Sequence, residues 1–143
     1  MRTQAEKAMV FRELHERAGA FIIPNPWDIG TARLLAQLGF EALATTSAGF
    51  AFSMGQRDNS VDRGAMMEHV HAIVSATGLP VSADLENGFG DKPETVAETF
   101  QLAAATGLVG GSIEDATGRP GEPLYELSLA VERVHAAVEA VRS

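Results

Sequence analysis

Along this chain helical and extended patterns alternate in one rhythm: a leading helix, then a strand and a helix four times over. That rhythm constrains the fold strongly, because successive strands separated by a crossover helix enter the sheet from the same end and so lie parallel. Apolar Ala8, Phe11 and Leu14 recur at helical spacing and predict an amphipathic helix over Thr3 to Arg17. "AFIIPNP" reads as a first strand, "DIGTARLLAQLG" as a helix opened by Asp28, and "FEALATTS" as a second strand followed by a Gly- and Phe-rich loop to Asn59. A long helix follows over Ser60 to Thr77, capped at Asn59 or Ser60, with Val61, Ala65, Met66, Val70, Ile73 and Val74 on its apolar side. "LPVSADLENG" is then a third strand and "DKPETVAETFQLAAATG" a helix with Asp91 as N-cap. "LVGGSIEDA" is a fourth strand, and "PLYELSLAVERVHAAVEAVRS" a last helix.

Each predicted strand ends in polar residues. They are Asn25 and Asp28, then Thr45, Thr46 and Ser47, then Asp84, Glu86 and Asn87, and finally Glu114 and Asp115. Both a (β/α)8 barrel and an open doubly wound sheet build their sites at the carboxyl ends of parallel strands. A barrel takes about 250 residues, so four units amount to half of one.

In "SADLENGFG" the two-residue period of a strand puts Asp84 and Glu86 on one side, where they repel unless a cation or a proton sits between them. With Glu114 and Asp115 arriving at the same edge, the donor set suits a hard divalent cation such as Mg²⁺, which takes few carboxylates and keeps several waters. The alternative is that Asp84 and Asp115 cap loops or pair with Arg33, Arg57 or Arg119. Gly88 and Gly90 let the backbone turn tightly beside the carboxylates.

Bulk composition narrows the partners. The 143 residues carry a formal charge of −8 with two lysines and no basic run, which disfavours nucleic acid and anionic membranes. There are no cysteines, so disulfides and thiolate chemistry are excluded. The first twenty residues are charged throughout and read as neither a secretory signal nor a membrane span, so a cytoplasmic location is expected, with the chain as one domain over 1–143.

Four segments carry a resemblance. "SADLENGFG" is similar to the Asp-x-[Asp/Glu]-x-Gly-[Tyr/Phe]-Gly segment of the isocitrate lyase and phosphoenolpyruvate mutase superfamily, and "GGSIEDA" to its Ile-Glu-Asp strand. "ATTSAGFAFSMGQRD" resembles its substrate-binding loop, and "NPWDIGTARLLAQLGFEAL" its first strand-helix unit. The resemblance implies a (β/α)8 TIM barrel, here its first four βα units with a leading helix, with Mg²⁺ as cofactor and a 2-oxo or 2-hydroxy acid as substrate. It also implies cleavage of a bond that leaves an enolpyruvate oxyanion, which the cation neutralises. By position, Asp84 matches the carboxylate closest to the metal, and Glu86 and Glu114 those that hold it through water. Thr46, Ser47, Ala48 and Gly49 match the cradle of the substrate carboxylate, Trp27 a lining residue, and Asp58 the aspartate that closes the loop and orients a proton or a water. Glu114 shares the catalytic assignment with Asp58.

The chain departs from the superfamily in two ways: strands five to eight are missing, and the loop after strand four lacks both the lyase branch's cysteine and the asparagine that the mutase branch carries in a longer loop, none being present between Glu114 and Leu124. The lyase branch carries a cysteine in a Lys-[Lys/Arg]-Cys-Gly-His loop after strand four, whereas "EDATGRPGEPLYE" has neither cysteine nor histidine. The expected activity is therefore a carbon-carbon lyase, an oxaloacetate hydrolase or decarboxylase, or a phosphonomutase. Half a barrel exposes sheet edges, so self-association or a missing second half is also expected. The competing readings are a non-catalytic flavodoxin-like binding module, whose first strand lies centrally, and an inactive barrel fragment. His69 and His71, two apart on one helix, read as structural or surface residues.

Overall fold

The computed structural model describes residues 2–142. Helix α1 (Gln4–Glu16) opens on a capping box in which the Thr3 hydroxyl accepts from Glu6 N, while Glu6 accepts from Thr3 N. Its buried side chains are Lys7 and Leu14, with Phe11 half-buried; Ala8, expected on the inner face, is exposed. The Lys7 stem lies inside while its ammonium donates to the carbonyl of Thr77.

The segment predicted as the first strand is extended but forms no ladder. Pro24 and Pro26 supply no N–H, so the segment is held by the bond from Ala44 N to Pro24 O and by Asn25 Nδ2 donating to Ala44 O. Helix α2 (Ile29–Gln37) starts at Asp28 as predicted, in a reciprocal cap with Thr31. Strand β1 (Leu43–Ala44) follows. Residues after Thr46, read from the sequence as loop, form helix α3 (Ser47–Ser53), because the Thr46 hydroxyl accepts from Gly49 N and Ala51 is buried beneath.

Helix α4 (Arg63–Ala76) is capped by Asp62, not by Asn59 or Ser60, and buries Met66, Val70, Ile73 and Val74 as its pattern requires. Strand β2 (Val81–Asp84) and helix α5 (Pro93–Ala105) follow. The N-cap of α5 is Lys92, without a side-chain bond; Asp91 instead accepts from Tyr125 and Arg119, which takes it out of the capping role. Strand β3 (Gly110–Ser112) leads to a hairpin of β4 (Ala116–Arg119) and β5 (Glu122–Leu124), antiparallel. Pro123 therefore lies in a strand, and the last helix, α6 (Leu127–Ala140), starts later than predicted.

The sheet runs β1-β2-β3, all parallel, with Leu43 opposite Val81 and Ser82 opposite Gly110. With the 20–26 segment beside β1, the order is sequential, which excludes the central first strand of a flavodoxin-like sheet. The core lies between the sheet and helices α2, α4 and α5, around Leu43, Met66, Val70, Ile73, Val81 and Leu85. Among the described residues no helix is long and apolar enough to cross a membrane.

Ile73 is fully buried there, whereas Leu34 is 55% exposed. Ile73→Ala should lower unfolding free energy by about 2–5 kcal/mol, and Leu34→Ala by less than about 0.5 kcal/mol, both read from urea denaturation followed by circular dichroism.

Candidate active site

The carboxyl ends of the strands bring together Asp84, Glu86 and Glu114, with Asp58 arriving from the loop after α3. Asp84 is the last residue of β2, and its carboxylate is fully engaged. Oδ2 accepts from Ser47 N at 3.0 Å and Ser47 Oγ at 2.8 Å, and Oδ1 from Glu86 N at 3.1 Å. Thr45 Oγ1 accepts from the Asp84 N–H at 3.2 Å, so β1 and α3 together fix where this carboxylate points.

Glu86 reaches the site by a different route from the one its spacing suggested. The strand ends at Asp84, and Glu86 has a φ of 50°, a left-handed conformation that turns its side chain inward instead of continuing the pleat. Gly88 at φ 76° and Phe89 at φ 61° continue the turn, and a Cβ on Gly88 would lie 2.9 Å from the Val96 side chain. Left-handed backbone costs a non-glycine residue about 1–2 kcal/mol, so neighbours must hold Glu86 and Phe89 there. One such neighbour is Glu114, whose N–H donates to Glu86 O at 2.8 Å and locks the two acidic residues together through their backbones.

Charges accumulate without local compensation. Among the described residues no cationic side chain lies within ion-pairing distance of Asp58, Asp84, Glu86 or Glu114; the arginines pair instead with Glu16, Glu41, Glu98, Asp91, Glu122 and Glu139. Glu86 is 6% exposed, and its Oε1 is buried without a partner. Burial, followed by the charges of Asp84, Asp58 and Glu114, pushes its carboxyl up to about 7. Glu114 is raised by burial and by the charges of Asp84, Asp58 and Asp115. Asp58 is exposed and accepts from Asn59 N, yet its charge reaches both glutamates.

The other sequence-derived residues lie along α3. Thr46 caps it, Ser47 bonds to Asp84, and Gly49 is buried against Trp27. A Cβ at Gly49 would lie 2.6 Å from both Trp27 Cδ1 and Thr46 Cγ2, so only glycine lets the indole close over the helix. Ala48 is half-buried beside them, and Trp27, 46% exposed, meets Phe52 edge to face. On the far side of α3, Phe50 stacks on the buried ring of His69 at 3.9 Å, which makes that histidine a packing residue, while His71 is exposed.

Sequence reasoning missed two features. The first is the Ser47–Asp84 link, for which the adjacency of a capping threonine and a serine before "AGF" was the available signal. The second is the residues behind the acidic turn: Tyr125 donates to Asp91 and accepts from Asn87, and Arg133 donates to the carbonyls of Asn87, Gly90 and Asp91. Nothing in a helical "VERVHAAV" marks its arginine as buried.

A sequentially ordered parallel sheet with carboxylates gathered at its carboxyl edge defines an α/β chain of the (β/α)8-barrel type. The family model "phosphoenolpyruvate phosphomutase" matches residues 11–143, and the chain belongs to that family, within the isocitrate lyase and phosphoenolpyruvate mutase superfamily. A provisionally assigned lyase/mutase from Burkholderia cenocepacia J2315 is 68% identical with a TM-score of 0.96, over 98% of this chain and 50% of that one. The 2,3-dimethylmalate lyase of Eubacterium barkeri is 36% identical over 59% of this chain and 30% of its own length. An oxaloacetate acetylhydrolase solved with its product oxalate is 28% identical with a TM-score of 0.86, over 95% of this chain and 49% of that one. The chain thus spans about half the length of such relatives or less.

Because folded Glu86 keeps its proton up to about pH 7 while the unfolded residue ionises near 4.5, the folded state binds the extra proton in between. The resulting stabilisation is full below pH 4.5 and is lost as pH rises through 7. In metal-free buffer Glu86→Gln should therefore raise stability by roughly 2–3 kcal/mol at pH 8 and change it little at pH 4, as measured by urea denaturation at the two pH values.

Proposed function

We propose that this chain carries the metal- and carboxylate-binding half of a Mg²⁺-dependent lyase or mutase acting on a small 2-oxo or 2-hydroxy acid. The observation that carries the reading is the buried, unpartnered Glu86 oxygen among Asp84, Glu114 and Asp58, an acidic cluster that forms no ion pair among the described residues. Such a pocket fits a hard divalent cation. Among the described residues no three acidic or histidine side chains stand close enough to grip an ion directly, so a cation here would have to keep water between itself and most of the carboxylates. In this reading Asp84 is the nearest ligand, and Glu86 and Glu114 hold bound water.

A cation held by Asp84, Glu86 and Glu114 would supply positive charge to an oxygen that becomes negative beside the 2-oxo group. Ser47 orients Asp84 through its N–H and hydroxyl, and the same α3 segment, Thr46 to Gly49, offers a small-residue surface for the substrate carboxylate. Trp27 covers that surface and excludes water. Asp58 and Glu114 hold a proton or a water against the reacting carbon. The hairpin after β3 stands where the lyase branch carries its cysteine-bearing loop and has neither that cysteine nor the asparagine of the mutase branch, which favours decarboxylase or hydrolase chemistry over isocitrate-type cleavage and phosphonate formation.

Support for the substrate class comes from relatives: one is a 2,3-dimethylmalate lyase, another an oxaloacetate acetylhydrolase, and both names denote chemistry on small carboxylic acids. The remaining half of the barrel would come from further sequence or from a second copy. Calorimetric titration with oxalate should give binding that requires Mg²⁺ and weakens at least about tenfold in Asp84→Asn. Equal binding without Mg²⁺, or no binding by a chain whose circular dichroism shows it folded, would overturn the reading for this chain.

A further inference from the structure

The largest fully buried side chain is a charged one, Arg133 on α6, at 1% exposure. It makes no ion pair among the described residues. Its guanidinium donates to Gly90 O and Asp91 O at 2.6 Å each and to Asn87 O, and its Cζ lies 3.9 Å from the centre of the Tyr125 ring. Tyr125 in turn donates to Asp91 Oδ1 at 2.7 Å and accepts from Asn87 Nδ2 at 3.0 Å. The carbonyl between these, Gly88 O, accepts from Thr99 on α5 at 2.8 Å. The 87–91 turn is thus gripped from behind at four carbonyls, by side chains of the two helices packed beneath it.

A turn needs such a grip when its backbone is unfavourable, and this one holds Glu86, Gly88 and Phe89 at positive φ. Glu86 is where the grip matters, since its left-handed backbone aims its carboxylate into the acidic pocket. Resting on the proposed cation site, we infer that Arg133 is a positioning residue for that site: by clamping the Asn87–Asp91 turn it fixes the backbone on which the aim of Glu86 depends. An arginine suits the task because its planar fork reaches several carbonyls at once and stays charged when buried. Lysine carries its three donors on one nitrogen and lacks that fork.

The test uses the 143-residue chain and Mn²⁺ alone as probe, with affinity read by electron paramagnetic resonance. Arg133→Met should weaken Mn²⁺ by about 10- to 100-fold, as loss of an outer-shell support does, with partial recovery in Arg133→Lys. Amide exchange at Gly88 and Phe89 should accelerate by about tenfold relative to the interior of α5. Lys7→Met, which removes a buried cation remote from the turn, should lower Tm without changing Mn²⁺ affinity and so separates positioning from general destabilisation. Should Arg133→Met fail to fold, Arg133→Lys and Tyr125→Phe carry the same two readouts. Folded Arg133 variants with wild-type Mn²⁺ affinity and wild-type exchange at Gly88 and Phe89 would overturn the inference. A wild-type chain that leaves Mn²⁺ free would overturn the cation site instead, and exchange at those two amides would still decide whether Arg133 holds the turn.

Discussion

Mutual repulsion among carboxylates at one sheet edge is the constraint around which this structure is organised. Asp84 satisfies both of its oxygens with donors from Ser47 and Glu86, so its position is set by hydrogen bonds instead of by a counter-charge. Glu86 has no such donors on Oε1 and answers burial by holding its proton to about pH 7. The two acidic residues just beyond neighbouring strands are joined through their backbones, from Glu114 N to Glu86 O, which keeps the segments together although their charges favour separation. A cluster of this kind costs stability in the empty protein. Folds bear that cost where a site requires it.

The supporting structure divides into two parts with different physics. The parallel strands and the core beneath them hold Asp84 by ordinary burial: Leu43, Val81 and Leu85 have no exposed surface worth the name, and strand register follows from their alternation. The turn beyond β2 is held by polar grips, from Thr99, Arg133 and Tyr125, because its carbonyls point away from any ladder. Each buried carbonyl needs a donor, and a buried arginine supplies several from one side chain. One consequence is that the turn is held in part from α6, by a side chain more than forty positions further along the chain.

Much of this was legible from the chain alone, and the unread part has a common cause. Strand ends, the acidic residues and the core face of α4 follow from local periodicity, which a sequence displays directly. Asp84 and Glu86 were rightly placed together but for the wrong reason, since alternation predicts a pleat and the backbone instead leaves the strand at Asp84 for the left-handed turn at Glu86. Helix α3 was hidden because glycine, alanine and phenylalanine carry weak helical patterning, and it forms on the strength of a Thr46 cap and the burial of Ala51. The apolar run before Pro24 suggested a short first strand, and the prolines that break it deny it a ladder. Asp91 looked like a cap by spacing and was claimed by Tyr125 and Arg119, residues about thirty positions away that no local rule connects to it.

The placement of positive charge argues for what the acidic pocket must receive. Nine arginines and two lysines are available, yet the ion pairs formed lie on exposed surfaces or at Asp91, and the one fully buried guanidinium is spent on carbonyls behind the turn instead of on the carboxylates in front of it. An arginine inside the pocket would have stabilised the folded chain and at the same time filled the space between the carboxylates. Leaving that space to charge from outside keeps the site selective, because only a ligand that brings positive charge, or a proton, relieves the repulsion. The acidic turn and its grip from α6 are in this sense one arrangement, and a cation at the proposed site would return energy that carboxylate repulsion withholds from folding.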